Sequence, residues 1–143
     1  MTGGGSAGTF PVEVPFVEHL GARLLSCADG AAHTELDLAP HLCNSFGVAH
    51  GGVLMTLLDV TMAMAGRSRL HHADDEQAGL VTIEMKTSFL QPAHGPRIAS
   101  HARCIHRTRT MAFCEADIVD ETGRTVARAS GTFKYVRQRK IAS

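Results

Sequence analysis

Residues 53–65, VLMTLLDVTMAMA, constrain the fold more than any other stretch of the chain. The run has no glycine or proline, is long enough for a helix, and is apolar on nearly every side. A helix without a polar face has to be surrounded. At 143 residues the chain has the length of one domain, enough to bury about two-thirds of its unfolded surface without disulfides or a structural metal.

The flanking sequence supplies the surround. Phe16, Val17 and Leu20, followed by Gly21, suit a short helix, and residues 22–28 read as a strand turned by Asp29-Gly30 into a second strand over 32–38. Residues 40–52 have the composition of a loop, which feeds the apolar helix; Gly66 and Arg67 are expected to end it, a glycine stop beside a cation at the negative end of the helix dipole. Residues 71–76, HHADDE, read as a solvated loop, because contiguous residues cannot all converge on one ion. Long strands follow at 80–90, 97–106, 111–119 and 125–136, with turn signals at Gly95-Pro96, Thr108 and 121–123. There is no internal repeat. A hairpin, one all-apolar helix and a meander of long strands imply an α+β fold in which an antiparallel sheet wraps a single helix. The Gly/Ser-rich start makes residues 1–15 a flexible leader, 16–137 the domain, and 138–143 a solvated basic tail.

Composition excludes several classes of function. Lys plus Arg and Asp plus Glu both number 14, so no net field draws nucleic acid or an anionic membrane, and aromatics at 5% leave few platforms for base stacking. Hydrophobic residues at 44% and charged residues at 20% match an ordinary globular domain rather than a disordered chain. The N-terminus carries no signal-peptide pattern, and the apolar run at 52–66 contains Asp59 and is too short to span a bilayer. These features predict a cytoplasmic protein with no nucleic-acid or membrane partner. Cys27, Cys43, Cys104 and Cys114 lack the paired spacing of a zinc site. Cys104 and Cys114 are placed to face each other across a hairpin, as two core thiols rather than a bridge.

Asp59 is the only charged side chain between Gly51-Gly52 and Arg67. Burying the helix takes its carboxylate out of water, which is costly unless the group is paired or used. A backbone or arginine partner would satisfy it as a structural group. His50-Gly51-Gly52 favours a chemical role instead: at a helix start the orphan backbone N–H groups point outward, the dipole is positive, and glycines let a substrate approach. An anion hole with a carboxylate about two turns further along suits attack on a carbonyl by a general base or nucleophile. Met55, Met62 and Met64 fit either core packing or the lining of an acyl pocket. Arg107 and Arg109 fit either solvated turn residues or phosphate ligands.

The pattern Asn44-x-x-Gly47-x-x-His50-Gly51-Gly52, with Asp59 nine residues after His50, resembles the hotdog-fold thioesterases. It resembles specifically the phenylacetate-degradation (PaaI-like) branch of the 4-hydroxybenzoyl-CoA thioesterase superfamily. The likeness runs from about Phe16 to Val136 and takes in Phe89-Leu90-Gln91-Pro92-Ala93 and the segment His106-Arg107-Thr108-Arg109-Thr110-Met111-Ala112.

The resemblance implies a hotdog fold and an acyl-CoA thioesterase that releases free acid and coenzyme A. On that likeness Gly51 N–H polarises the thioester carbonyl, Asp59 activates water or attacks directly, Asn44 orients the carboxylate or the water, and His50 positions the thioester or shapes the helix start. Thr82 takes the place of a hydroxyl residue that holds the water, although ideal strand alternation with Val81, Ile83 and Met85 points it off the apolar face. Gly52, Arg109 and Thr110 are the implied substrate-binding residues. The likeness implies no metal or bound cofactor, coenzyme A being part of the substrate, and it implies dimers or tetramers with sites shared across the dimer interface. The rivals are a hotdog hydratase or dehydratase, disfavoured because no acid stands just before His50, and a non-catalytic acyl-CoA binder, which gains nothing from a buried Asp59.

Overall fold

The computed structural model describes residues 8–70 and 78–137. The apolar stretch is a helix and is enclosed as its composition demands: Leu58, Met62 and Ala65 are fully buried, and Leu54, Leu57, Val60 and Met64 nearly so. In chain order the elements are α1 (Pro15–Leu20), β1 (Arg23–Ala28), β2 (Ala31–Asp37), a single 3-10 turn (Pro40–Leu42), α2 (Gly51–Arg67), β3 (Ala78–Phe89), β4 (Arg97–Arg107), β5 (Met111–Asp120) and β6 (Thr125–Arg137). The six strands form one antiparallel sheet in the order β1-β2-β4-β5-β6-β3. Helix α2 packs against β2 to β6, the hotdog arrangement that the resemblance implies.

Small side chains let the sheet close on the helix. The buried face of β4, β5 and β6 presents Ala102, Ala112, Ala116, Ala127 and Ala129, with Phe133 as the large fully buried filler. Between β2 and α2 the buried hydroxyls pair with each other: those of Thr34 and Thr61 lie 2.7 Å apart, and Thr61 donates to the Leu57 carbonyl at 2.6 Å. Cys104 and Cys114 stand opposite each other in the β4–β5 ladder as buried free thiols, matching the expected pair. The Asp29-Gly30 turn has φ of 51° and 83°, the left-handed pair that a two-residue hairpin requires and that Asp and Gly tolerate.

The helix departs from expectation at both ends. It begins at Gly51 rather than 53, because His50 serves as N-cap and its Nδ1 accepts from Gly52 N–H at 2.9 Å. It also runs through Gly66, which is buried inside the last turns and does not end it. A Cβ at position 66 would lie 2.8 Å from Leu80 Cδ2 and 3.2 Å from Ala112 Cβ, so this glycine serves a close helix–sheet approach. The Tyr135 hydroxyl seals that contact by donating to the Gly66 carbonyl at 2.8 Å.

Strand β3 departs from ideal alternation. Its pairing with β6 slips between Thr82 and Glu84, so Leu80, Thr82, Met85 and Thr87 lie opposite the inward residues Tyr135, Phe133, Gly131 and Ala129. The bulge at Ile83 thus turns Thr82 toward the helix, while Val81 and Ile83 point outward with 44% and 54% of their surface exposed. The expectation that Thr82 faces away from the apolar side is corrected by this one extra residue.

Ahead of Phe16, residues 8–14 already pack on the body. Gly8 exchanges backbone hydrogen bonds with Leu24, and Phe10 is buried. The expected loop at 71–76 lies outside the described residues, as do residues 1–7 of the leader and the tail at 138–143. Among the described residues, no helix is long and apolar enough to cross a membrane, and no group of three or more His, Cys, Asp or Glu is placed to hold a metal.

Candidate active site

Two clefts flank α2. The first, about 350 Å³, opens at the helix N-terminus and is lined by Asn44, Val48, Gly51, Phe89, Leu90 and Gln91 among others. The segment that forms it is pinned before the helix begins: Cys43 and Ala49 form a bridge, Asn44 N–H donates to the Val48 carbonyl at 2.8 Å, and His50 N–H donates to the Leu42 carbonyl at 2.9 Å. Asn44 Oδ1 accepts from the Phe46 and Val48 N–H groups at 2.9 and 3.3 Å. With its oxygen committed, Asn44 has only its amide N–H groups left to offer a ligand, which makes it a donor to a carboxylate or water. Gly51 N–H, at the first helical position, has no intrahelical acceptor. The ring of Phe89 lies 3.5 Å from where a Gly51 Cβ would be, so it walls the same spot with apolar surface. His50 accepts through Nδ1, which places the proton of the neutral ring on Nε2, facing outward from the cap.

The second cleft, about 450 Å³, lies against the side of α2 and is closed by α1, the segment before it, and β3. Asp59 and Thr82 form its polar patch, with Thr82 Oγ1 donating to Asp59 Oδ1 at 2.6 Å. Burial raises the Asp59 carboxyl above the ordinary carboxylate value, and the Thr82 hydrogen bond opposes that rise without cancelling it. The result is a carboxyl short of solvation, with one lone pair held by Thr82 and the rest open to the cleft. That is the environment of a general base.

A raised pKa in the fold carries a sign for stability. Below the ordinary carboxylate range Asp59 is protonated in both folded and unfolded chains and costs nothing; above the raised value it is ionised in both, and the fold bears the desolvation of the charge. Asp59→Asn is therefore expected to melt higher than the wild type near neutral pH, with the gap closing as pH falls through the carboxylate range. Thermal melts across that range check this, and a lower melting temperature at neutral pH would mean that the ionised carboxylate stabilises the fold.

The expected site residues fall into two groups that the single chain does not bring together. Asn44 and Gly51 line the first cleft with His50 and Gly52 beside them, and Asp59 and Thr82 line the second; the two linings share no residue. Along α2, about 12 Å of axis separates Gly51 from Asp59. Arg109 and Thr110 sit in the exposed β4–β5 turn, outside both linings. Thr108 Oγ1 braces that turn by accepting from the Thr110 and Met111 N–H groups at 3.3 and 3.0 Å. Arg107 is committed inward, donating to the Arg69 carbonyl at 2.5 Å and lying 4.9 Å above the Tyr135 ring. Arg109 has no such tie among the described residues.

The methionines divide. Met62 is core, Met64 is buried yet touches the Asp59 cleft, and Met55 is exposed. Sequence reasoning missed Arg67 as a lining residue, taking it as a helix-end cation. The signal was present: positions 59, 63 and 67 repeat at helical spacing, so Ala63 and Arg67 share the Asp59 side of α2.

The sequence model of the thioesterase superfamily matches residues 46–127. Acyl-coenzyme A thioesterase 13 of Homo sapiens is 29% identical to this chain over 113 residues, covering 76% of each. A thioesterase family protein from Silicibacter pomeroyi superposes with a TM-score of 0.80 at 28% identity, over 87% of this chain and 90% of its own. A mutant of the phenylacetic acid degradation protein PaaI from Thermus thermophilus superposes with a TM-score of 0.74 at 27% identity, over 85% of this chain and 98% of its own.

Proposed function

The chain belongs to the thioesterase superfamily, and from that membership we propose that it is an acyl-CoA thioesterase of the PaaI-like branch, using Asp59 as its base. The observation that carries this reading is the desolvated Asp59 carboxyl held by Thr82 on an apolar helix wall. The likeness to the human acyl-coenzyme A thioesterase supports an acyl-CoA substrate, and that to a phenylacetic acid degradation protein keeps an aryl acid among the acyl groups to test.

The chemistry follows from the two clefts. The thioester carbonyl oxygen accepts from Gly51 N–H at the positive end of α2, with the Gly52 backbone and His50 bordering it; charge developing on that oxygen meets a fixed donor and dipole. Asp59 takes a proton from water as the water oxygen attacks the carbonyl carbon. The tetrahedral intermediate then collapses, the C–S bond breaks, and the proton passes to the leaving thiolate. Thr82 holds the carboxylate or the water, and Asn44 offers its amide N–H to the same pair.

Since one subunit keeps these halves apart, the reading requires a homodimer in which Asn44 and Gly51 of one chain meet Asp59 and Thr82 of the other. Strand β3 is the edge of the sheet and carries Val81 and Ile83 outward, an apolar edge of the kind that pairs with a second copy. Two such dimers would build a tetramer.

A thiol-release assay over phenylacetyl-, aryl- and medium-chain acyl-CoA thioesters tests the reading. Release of coenzyme A from at least one class is expected, and a folded dimer that releases none overturns it. Arg109 and Thr110 are read as contacts to the coenzyme A end of the substrate. Arg109→Ala should then mainly raise KM, since a contact remote from the thioester binds ground and transition states alike. A short thioester lacking the nucleotide should show no such change; an equal change with both substrates would make Arg109 a turn residue and nothing more.

A further inference from the structure

The reaction uses the Asp59 end of the second cleft and leaves its far end without a role. Arg67 stands there, in the last turn of α2, and its Nε is buried with no hydrogen-bond partner. Among the described residues, Arg67 forms no ion pair, although two acids, Glu13 and Asp59, share the lining. Nε is closed off, so what Arg67 can offer a ligand in the cleft is the terminal amino groups of a guanidinium that lacks an ion-pair partner among the described residues. Between Asp59 and Arg67 the wall is apolar, formed by Val60, Ala63, Met64 and Leu80. The cleft thus has a carboxyl at one end, a floor suited to methylene groups, and an unpaired cation at the other.

We propose that Arg67 determines specificity by pairing with a terminal carboxylate on the acyl group, so that the favoured substrates are thioesters of medium-chain dicarboxylic acids. This rests on the hydrolysis reading for the place of the thioester, since it sets the reacting carbonyl beside Asp59 and the acyl tail along the floor. Asp59 and Arg67 are about 12 Å apart along the helix axis. Side chains on a helix lean toward its N-terminus, which shortens the span for the Arg67 head and fits a medium rather than a long chain. Glu13 is exposed, so water screens its charge, and it forms no ion pair with Arg67. An apolar tail would cover the guanidinium from water and leave it unpaired. Discrimination therefore comes from both sides, a charge-assisted contact made by the right substrate and an orphan donor left by the wrong one.

The test compares suberyl-CoA with octanoyl-CoA, matched in length and differing in the terminal carboxylate, in wild type, Arg67→Met and Arg67→Lys. Hydrolysis is read alongside calorimetric binding of the corresponding non-hydrolysable thioethers. The wild type should favour the suberyl substrate by about tenfold in kcat/KM, Arg67→Met should lower that ratio about tenfold, and Arg67→Lys should keep part of it. A ratio measured within one variant does not depend on how much of it is folded. Hydrolysis of both substrates with a ratio that Arg67→Met leaves unchanged overturns the role of Arg67 and spares the thioesterase reading. Arg67-dependent binding of the suberyl thioether with no hydrolysis of either substrate overturns the thioesterase reading and upholds the carboxylate contact.

Discussion

Asp59→Asn is expected to lower kcat for acyl-CoA hydrolysis by about a hundredfold or more, in a protein that still folds. The substitution is nearly isosteric, so it opens no cavity on a helix whose neighbours Leu58 and Val60 are buried. The asparagine oxygen can still accept from Thr82 Oγ1, which now bonds to Asp59 at 2.6 Å. What disappears is the capacity to take a proton from water. Circular dichroism and a melting curve establish the fold, and thiol release gives the rate. Hydrolysis at the wild-type rate by the folded variant would remove Asp59 from the mechanism.

A second large effect concerns assembly. On the proposed shared-site reading, Asn44→Ala and Asp59→Asn homodimers would each carry a lesion in both sites and should be nearly inactive. Mixed in equal amounts and refolded together, half of the dimers are hybrids, and each hybrid has one site with both lesions and one with none. Activity should therefore return to about a quarter of wild type. The physical basis is the separation of the two clefts, whose linings share no residue, along a helix that cannot bend one onto the other. If labelled chains exchange and activity stays at the level of the single mutants, Asn44 and Asp59 act within one subunit.

Local signals made most of the fold legible. Asp29-Gly30 marks a hairpin because few other pairs tolerate two left-handed residues in succession. The helix shows itself because a run over 53–65 that is mostly apolar and has no breaker has few other solutions, and the strands because glycine, proline and polar turns separate them. The features that stayed hidden are decided between elements. Gly66 looked like a stop because its lack of a side chain is read from sequence as freedom, whereas here it is clearance for Leu80 and Ala112. The start at Gly51 depends on an imidazole acting as N-cap, a role that residue type alone does not announce. Thr82 faces Asp59 because of a slip in the β3–β6 ladder, which exists only once both strands are paired. At the candidate site, sequence marked Asp59 and the helix start, and the resemblance implied sites shared between chains; the two clefts that hold these halves apart became visible only in three dimensions. Arg67 escaped notice because a cation in a last turn has an ordinary explanation, and only its unpaired, buried Nε sets it apart.

The slip at Ile83 also divides β3 into two frames with separate duties. Residues 84–89 keep their register through Met85 and Thr87 against Gly131 and Ala129, while residues 80–82 present Leu80 and Thr82 on the opposite parity. Deleting a single codon at position 83 would restore an unbroken ladder in which Thr82 still faces Phe133 and Glu84 still faces Thr132, so the hydroxyl would stay beside Asp59 and Val81 would stay outside. The core half of the strand would stay where it is. Length variation at this one position therefore lets a lineage lose or regain an edge-strand residue in one step, while the hydroxyl beside the acid and the core both keep their places.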